Sequence, residues 1–263
     1  LSALATIEEN LGNIKVALLG GEEFKEGFED VLAFLLNSLS DRKRKTVVFL
    51  PTCSAENGEK AVTQNCNEAR AKLSVFGADV ETPLIIDRES ANDAENARLV
   101  ANADLIYFGG GYPHVAINIL SNTLVMAALQ NTLSRGTLIC GASAGAMLMG
   151  TRSWVCTPEF NSEIEKIWGT GVPNDHWAPS QPPCLEGLNL IPQTLIWPHF
   201  NRTYSRHWLK QDNCNDGLTV VGIDEQTALV NLGNGWKVYG RGHVTIIHKD
   251  YIFLQAKTSP LPI

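Results

Sequence analysis

No stretch of this 263-residue chain approaches the roughly 18 consecutive apolar residues that a bilayer crossing requires, although 44% of it is hydrophobic. The first residues, Leu1 to Asn13, carry Glu8 and Glu9 and lack a basic leader before an apolar block, so no signal peptide is expected. Positive charge is in deficit: 21 Lys and Arg face 28 Asp and Glu, for a net charge of −7. That balance argues against nucleic acid and against a membrane surface as partners. The short basic run Arg42-Lys43-Arg44-Lys45 precedes a strand and reads as a solvated turn. Also missing are any C-x-x-C pair and any metal-ligand spacing among the six cysteines at 53, 66, 140, 156, 184 and 214. We therefore expect no metal, no cofactor, and reduced thiols in a cytoplasmic protein, with a Cys156–Cys184 disulfide as the alternative.

What is present is an alternation of apolar runs and amphipathic stretches. Ile14–Gly21 reads as a strand ending in a glycine turn, and a helix follows around Glu26–Ser38 with Phe28, Val31, Leu32, Leu35 and Leu36 on one face. Thr46–Leu50, Val80–Ile86, Leu105–Phe108 and Gly136–Cys140 read as further strands. The helices between them span about Gly58–Phe76, Ala91–Ala101 and Val115–Leu133. This order implies an α/β fold of three layers, a mostly parallel sheet flanked by helices. The sheet should resume at Thr194–Trp197 and Leu218–Ile223, with a helix over Arg202–Lys210 and β-hairpins over Ala228–Lys257. Pro158–Pro192 is an irregular excursion near the active site, and no repeat or linker is visible. One domain over residues 1–263 is expected, with 1–13 as an N-terminal extension.

Ligands of such sheets bind at the carboxyl ends of the strands. At one of these ends stands Cys140-Gly141-Ala142-Ser143-Ala144-Gly145-Ala146, a G-x-S-x-G pattern between a strand and a helix. Its small residues permit a tight turn that lifts the Ser143 hydroxyl clear of the sheet, as a nucleophile needs. A serine requires a base, and the base an orienting carboxylate. His199 lies just past a predicted strand, at the same sheet end, and is the expected base. His114 and His176 are rivals, while His207, His243 and His248 read as structural. For the acid, Glu159 is the first choice, and Glu163, Glu165 and Asp175 are alternatives.

Gly109-Gly110-Gly111 also ends a strand. It lacks the G-x-G-x-x-G helix entry and the Lys-Ser/Thr of a P-loop, which disfavours a phosphate cradle. As an oxyanion loop, Gly110 and Gly111 would offer backbone N–H groups together with that of Ala144.

These segments resemble the cyanophycinase and dipeptidase E family of serine peptidases, which have a class I glutamine amidotransferase-like (flavodoxin-like) fold. The likeness rests on Gly109–Gly111, on Gly141–Ala146, and on Gly187-Leu188-Asn189-Leu190-Ile191-Pro192 leading into Pro198-His199-Phe200. Gly222-Ile223-Asp224-Glu225-Gln226-Thr227-Ala228-Leu229 adds to it and is nearer the cyanophycinase branch. The resemblance implies Ser143 as nucleophile, His199 as base, an acid near Glu159, and hydrolysis at aspartyl residues: Asp-dipeptides or the β-linked Asp–Arg units of an aspartate-rich polymer. Tyr112-Pro113 stands where that family usually has a polar residue, so the family's substrate contacts at the loop do not carry over directly; Tyr112 is the contact expected there instead. Arg202 and Arg206 could bind a substrate carboxylate as forks. An esterase or acyl transferase with the same triad, and a silent binding protein on this fold, are the other readings; a homodimer is compatible with all three.

Overall fold

Short aliphatic runs bounded by glycine or proline build the first sheet, as buried parallel strands do. The computed structural model describes residues 14–39, 45–156, 162, 183–203, 217–248 and 251–256. Five strands, β1 (Lys15–Leu19), β2 (Lys45–Leu50), β3 (Ala78–Glu81), β4 (Leu105–Phe108) and β5 (Leu138–Ala142), run parallel. The chain then forms β6 (Gly150–Trp154), β7 (Cys184–Glu186), β8 (Ile191–Trp197) and β9 (Thr219–Ile223). It returns through the antiparallel pair β10 (Thr227–Asn231) and β11 (Trp236–Gly240), and ends with β12 (Val244–His248) and β13 (Tyr251–Ala256).

Two sheets result. The first has seven strands in the order β11-β10-β1-β5-β4-β2-β3, and the second has six in the order β13-β12-β9-β8-β6-β7. The expected resumption of one sheet at residue 194 is thus corrected, because β8 and β9 pair within the second sheet. One face of the first sheet is covered by α1 (Glu29–Asn37) and α2 (Glu59–Ser74), which bury Leu32, Leu35, Ala69 and Leu73 against Ala17, Phe49 and Tyr107. The other face is covered by α3 (Arg88–Ala91), α4 (Ala94–Ala101), α5 (Pro113–Leu120) and α6 (Leu124–Leu133). That core continues into Ile196, Val221, Ile223 and Ile246 of the second sheet. Each fully buried aliphatic side chain there contributes roughly 1.5–3 kcal/mol.

The single helix expected over 115–133 is two helices. Asn122 takes φ 57°, and the Thr123 side chain accepts the Met126 N–H, which starts α6 afresh. The strand expected over 80–86 ends at Glu81, ahead of Pro83, which cannot donate to a ladder. Two one-turn helices complete the site region: α7 (Ala144–Met147) after β5, and α8 (Phe200–Thr203) after β8. Among the described residues no helix is long and apolar enough to cross a membrane.

Candidate active site

Ser143 stands between β5 and α7 with φ 52° and ψ −120°, a strained conformation for a residue with a side chain. The strain is held from several sides. Its N–H donates to the Leu19 carbonyl at 3.1 Å, and its carbonyl accepts from Ala146 and Met147. Gly145 makes the close turn feasible: a Cβ there would meet the Phe108 carbonyl oxygen at 2.2 Å. The geometry is that of a strand–serine–helix elbow.

His199 follows β8 and Pro198, again with positive φ (51°), and its N–H donates to the Gly20 carbonyl at 2.8 Å. This bond ties the second sheet to the end of β1 in the first. The imidazole then lies over Gly21, where a Cβ would meet His199 Cε1 at 2.2 Å. Ser143 Oγ is 2.9 Å from His199 Nε2, and His199 Nδ1 is 2.9 Å from Glu225 Oε1. One tautomer satisfies both contacts, with Nδ1–H donating to the carboxylate and Nε2 accepting the serine proton.

Glu225 sits where the chain crosses from β9 of the second sheet to β10 of the first. Its side chain is only 9% exposed. Three contacts fix it: Asn201 Oδ1 accepts the Glu225 N–H at 3.0 Å, Arg202 Nε approaches Oε2 at 2.6 Å, and Thr227 Oγ1 donates to its carbonyl at 3.1 Å. The next residue, Gln226, donates its N–H to the Gly21 carbonyl.

The carboxylate at Nδ1 is therefore Glu225, which corrects the expectation of Glu159. Glu159 lies outside the described residues, as do the alternatives Glu163, Glu165 and Asp175. The error had one physical source. An acid was sought between serine and histidine in chain order, although triad order varies freely between folds. The usable signal was Asp224-Glu225 directly after a strand, at the same sheet end that pointed to Ser143 and His199. Arg202 reaches the site as the partner of Glu225, and Arg206 lies outside the described residues.

The glycine loop comes close to the elbow. A Cβ on Gly110 would stand 3.5 Å from Ser143 Cβ and 3.8 Å from its Oγ. Among the described residues no acceptor takes the N–H of Gly110, Gly111 or Ala144. Tyr112 donates its N–H to the Cys53 carbonyl and packs against the apolar cluster that includes Met147, Trp154, Trp197 and Phe200. Of the remaining histidines, His114 has its Nδ1 buried, His243 Nδ1 lies 3.5 Å from Asp224, and His248 meets Thr219. His176 and His207 lie outside the described residues.

Cys140, three residues before the serine, is buried, and burial drives its thiol well above the usual range. Cys53, Cys66, Cys140 and Cys156 are free. Cys184 is disulfide-bonded, which corrects the expectation of reduced thiols throughout, and free Cys156 is not its partner. The cysteines thus lose their force as an argument for the cytoplasm.

A serine elbow at the carboxyl edge of a parallel sheet, with imidazole and carboxylate in line, defines a hydrolase-type site. The model of peptidase family S51 matches residues 16–238, and the chain belongs to that family of serine peptidases. The uncharacterized peptidase PM1590 of Pasteurella multocida is 27% identical over 121 residues, 46% of this chain and 56% of that protein. The chain thus matches little more than half the length of that relative. The crystal structure of a peptidase from an acI-B1 Actinobacterium is similar with a TM-score of 0.67 at 25% identity, over 93% of this chain and 96% of that one. A structure from Listeria monocytogenes EGD-e assigned to peptidase E aligns with a TM-score of 0.57 at 18% identity, over 87% and 99%, a likeness of fold.

Proposed function

We propose that this chain hydrolyses aspartyl or β-aspartyl peptide bonds through a Ser143–His199–Glu225 triad. The observation that carries the proposal is the unbroken series of 2.9 Å contacts from Ser143 Oγ through the imidazole to Glu225. Ser143 Oγ attacks the carbonyl carbon while Nε2 of His199 takes the hydroxyl proton. The tetrahedral oxyanion is received by the N–H groups of Gly110, Gly111 and Ala144, and one such donor is typically worth about 3 kcal/mol. His199 then gives its proton to the departing amine, the C–N bond breaks, and an acyl-enzyme remains. Water, deprotonated by the same imidazole, releases the acid and restores the serine. Glu225 holds the ring orientation and balances the imidazolium charge throughout.

Aspartyl preference is supported by the likeness of the elbow, glycine-loop and Gly222–Leu229 segments to the cyanophycinase and dipeptidase E group. Tyr112, at the end of the glycine loop, is the expected substrate contact that differs most from that group. The test is turnover of Asp-dipeptides, β-Asp–Arg dipeptide, cyanophycin and an activated ester by wild type and Ser143→Ala. Peptide hydrolysis by wild type and its loss in the variant are expected. Ester turnover without peptide turnover favours an esterase instead, and equal rates in both proteins would reject the triad.

A further inference from the structure

The turn after β1 carries an acid that this chemistry leaves unused. Glu23 lies two residues beyond Gly21, the glycine beneath the imidazole, and it faces Tyr107 of β4. Among the described residues no lysine or arginine pairs with it. Burial holds its carboxyl above the usual range, against the opposing pull of its own backbone N–H and of His199. Beneath it, Tyr107 is 1% exposed and wedged between Phe24 and Phe49, with ring centroids 5.9 and 5.7 Å away. The Tyr107 hydroxyl is buried without a well-formed hydrogen bond. It is near enough to the Glu23 carboxyl to influence its proton, yet the pair is not closed.

A half-buried carboxyl with no lysine or arginine partner among the described residues, and a buried phenol without an acceptor, are both costly to leave unmet. One event satisfies both. A cation arriving at Glu23 favours the carboxylate, and the carboxylate gives the Tyr107 O–H a strong acceptor. The location suits a substrate group. The β1 end frames the reacting atoms, with Leu19 holding the Ser143 N–H and Gly20 holding the His199 N–H. An α-ammonium is two bonds from the scissile carbonyl carbon of an α-aspartyl peptide and three from that of a β-aspartyl one, so its partner belongs on an element that also frames the serine.

We propose that Glu23, backed by Tyr107, is the subsite for a cationic nitrogen of the substrate, held beside the carbonyl that Ser143 attacks. The proposal rests on the serine-peptidase reading above. The nitrogen is either the free α-ammonium of the aspartyl residue or a basic side chain next to the scissile bond.

A matched substrate series separates these sources: one aspartyl amide with its α-nitrogen free or acetylated, and one with lysine or neutral norleucine after the scissile bond. Wild type should favour the cationic member of one pair by about 100-fold in kcat/KM, carried mainly by KM. Glu23→Gln should reduce that preference to about 5-fold or less, with Tyr107→Phe in between. A wild-type protein indifferent to charge in both pairs overturns the subsite without recourse to any variant. So does a Glu23→Gln protein that keeps the wild-type ratio. If Glu23→Gln does not fold, Glu23→Asp and Tyr107→Phe give the same readout, and unchanged ratios in both are equally contrary. Fluorophosphonate labelling of Ser143 is measured alongside. An unlabelled wild-type serine removes the peptidase reading itself, whereas a labelled serine with flat ratios removes only the subsite.

Discussion

Arg202 Nε stands 2.6 Å from Oε2 of Glu225, the carboxylate oxygen that His199 leaves free. The acid is thus gripped by the residues that follow the base, since Asn201 also accepts the Glu225 N–H. His199, Asn201 and Arg202 belong to one turn, closed by the Arg202 N–H on the His199 carbonyl. Outer partners of this kind orient the inner ones, and losing them usually costs 10- to 100-fold. Arg202 is 47% exposed, so its share should be at the low end. Arg202→Ala should lower kcat by roughly 3- to 10-fold with little change in KM, and Arg202→Lys should recover part of the loss. Steady-state kinetics on one dipeptide checks this. A rise in KM alone would instead make Arg202 a substrate contact, as the sequence suggested.

The assignment of the acid has a direct contrast. Glu225→Gln keeps the shape but removes the charge and favours the wrong imidazole tautomer, so kcat should fall by about 100- to 10,000-fold. Glu159→Gln should stay within about twofold of wild type, because Glu225 already occupies the Nδ1 position of His199. Comparing kcat of the two variants decides between the residue that geometry places at Nδ1 and the residue that chain order suggested.

Much of this architecture was legible in the residues. Val47, Val48, Ile106 and Ile139 lie in short apolar runs between amphipathic stretches, and such runs form parallel strands wherever helices can cover both faces. Ser143, His199 and the glycine loop each follow a strand, so the carboxyl-edge rule placed all three together. The second sheet was not legible. A buried strand such as Leu195-Ile196-Trp197 carries the same pattern whichever sheet it joins, and only long-range pairing decides. Glu23 escaped for a related reason: nothing local distinguishes it from Glu22, and its meaning comes from Tyr107, a contact across three strands of the sheet.

Gly21 is the packing constraint on the base. With φ at 114° and the imidazole where a methyl group would be, Gly21→Ala must push His199 aside. A displacement near 1 Å typically costs about 100-fold in rate. The variant should therefore lose kcat out of proportion to any fall in melting temperature. Parallel kinetics and thermal unfolding test that split.

Glu23 also predicts a pH dependence of stability. Its folded-state pKa is raised by burial, despite His199 and Tyr107 opposing the shift and with Glu22 adding to it. A raised group stabilises the fold below its unfolded pKa, and that stabilisation is lost as pH rises through the folded value. The protein should therefore bear a cost at pH 8 that is absent at pH 4. Glu23→Gln should melt roughly 2–4 °C above wild type at pH 8, and the gain should vanish towards pH 4. Calorimetry at the two pH values reads the difference.

The central claim is that Ser143, His199 and Glu225 act as one unit, and a double-variant cycle tests it most directly. The measurement is kcat/KM for Ser143→Ala, Glu225→Gln and the combined protein on one aspartyl dipeptide. Without the serine, the acid has nothing left to assist, so the combined protein should be no slower than Ser143→Ala within about threefold. Losses that multiply across the two sites would contradict the account.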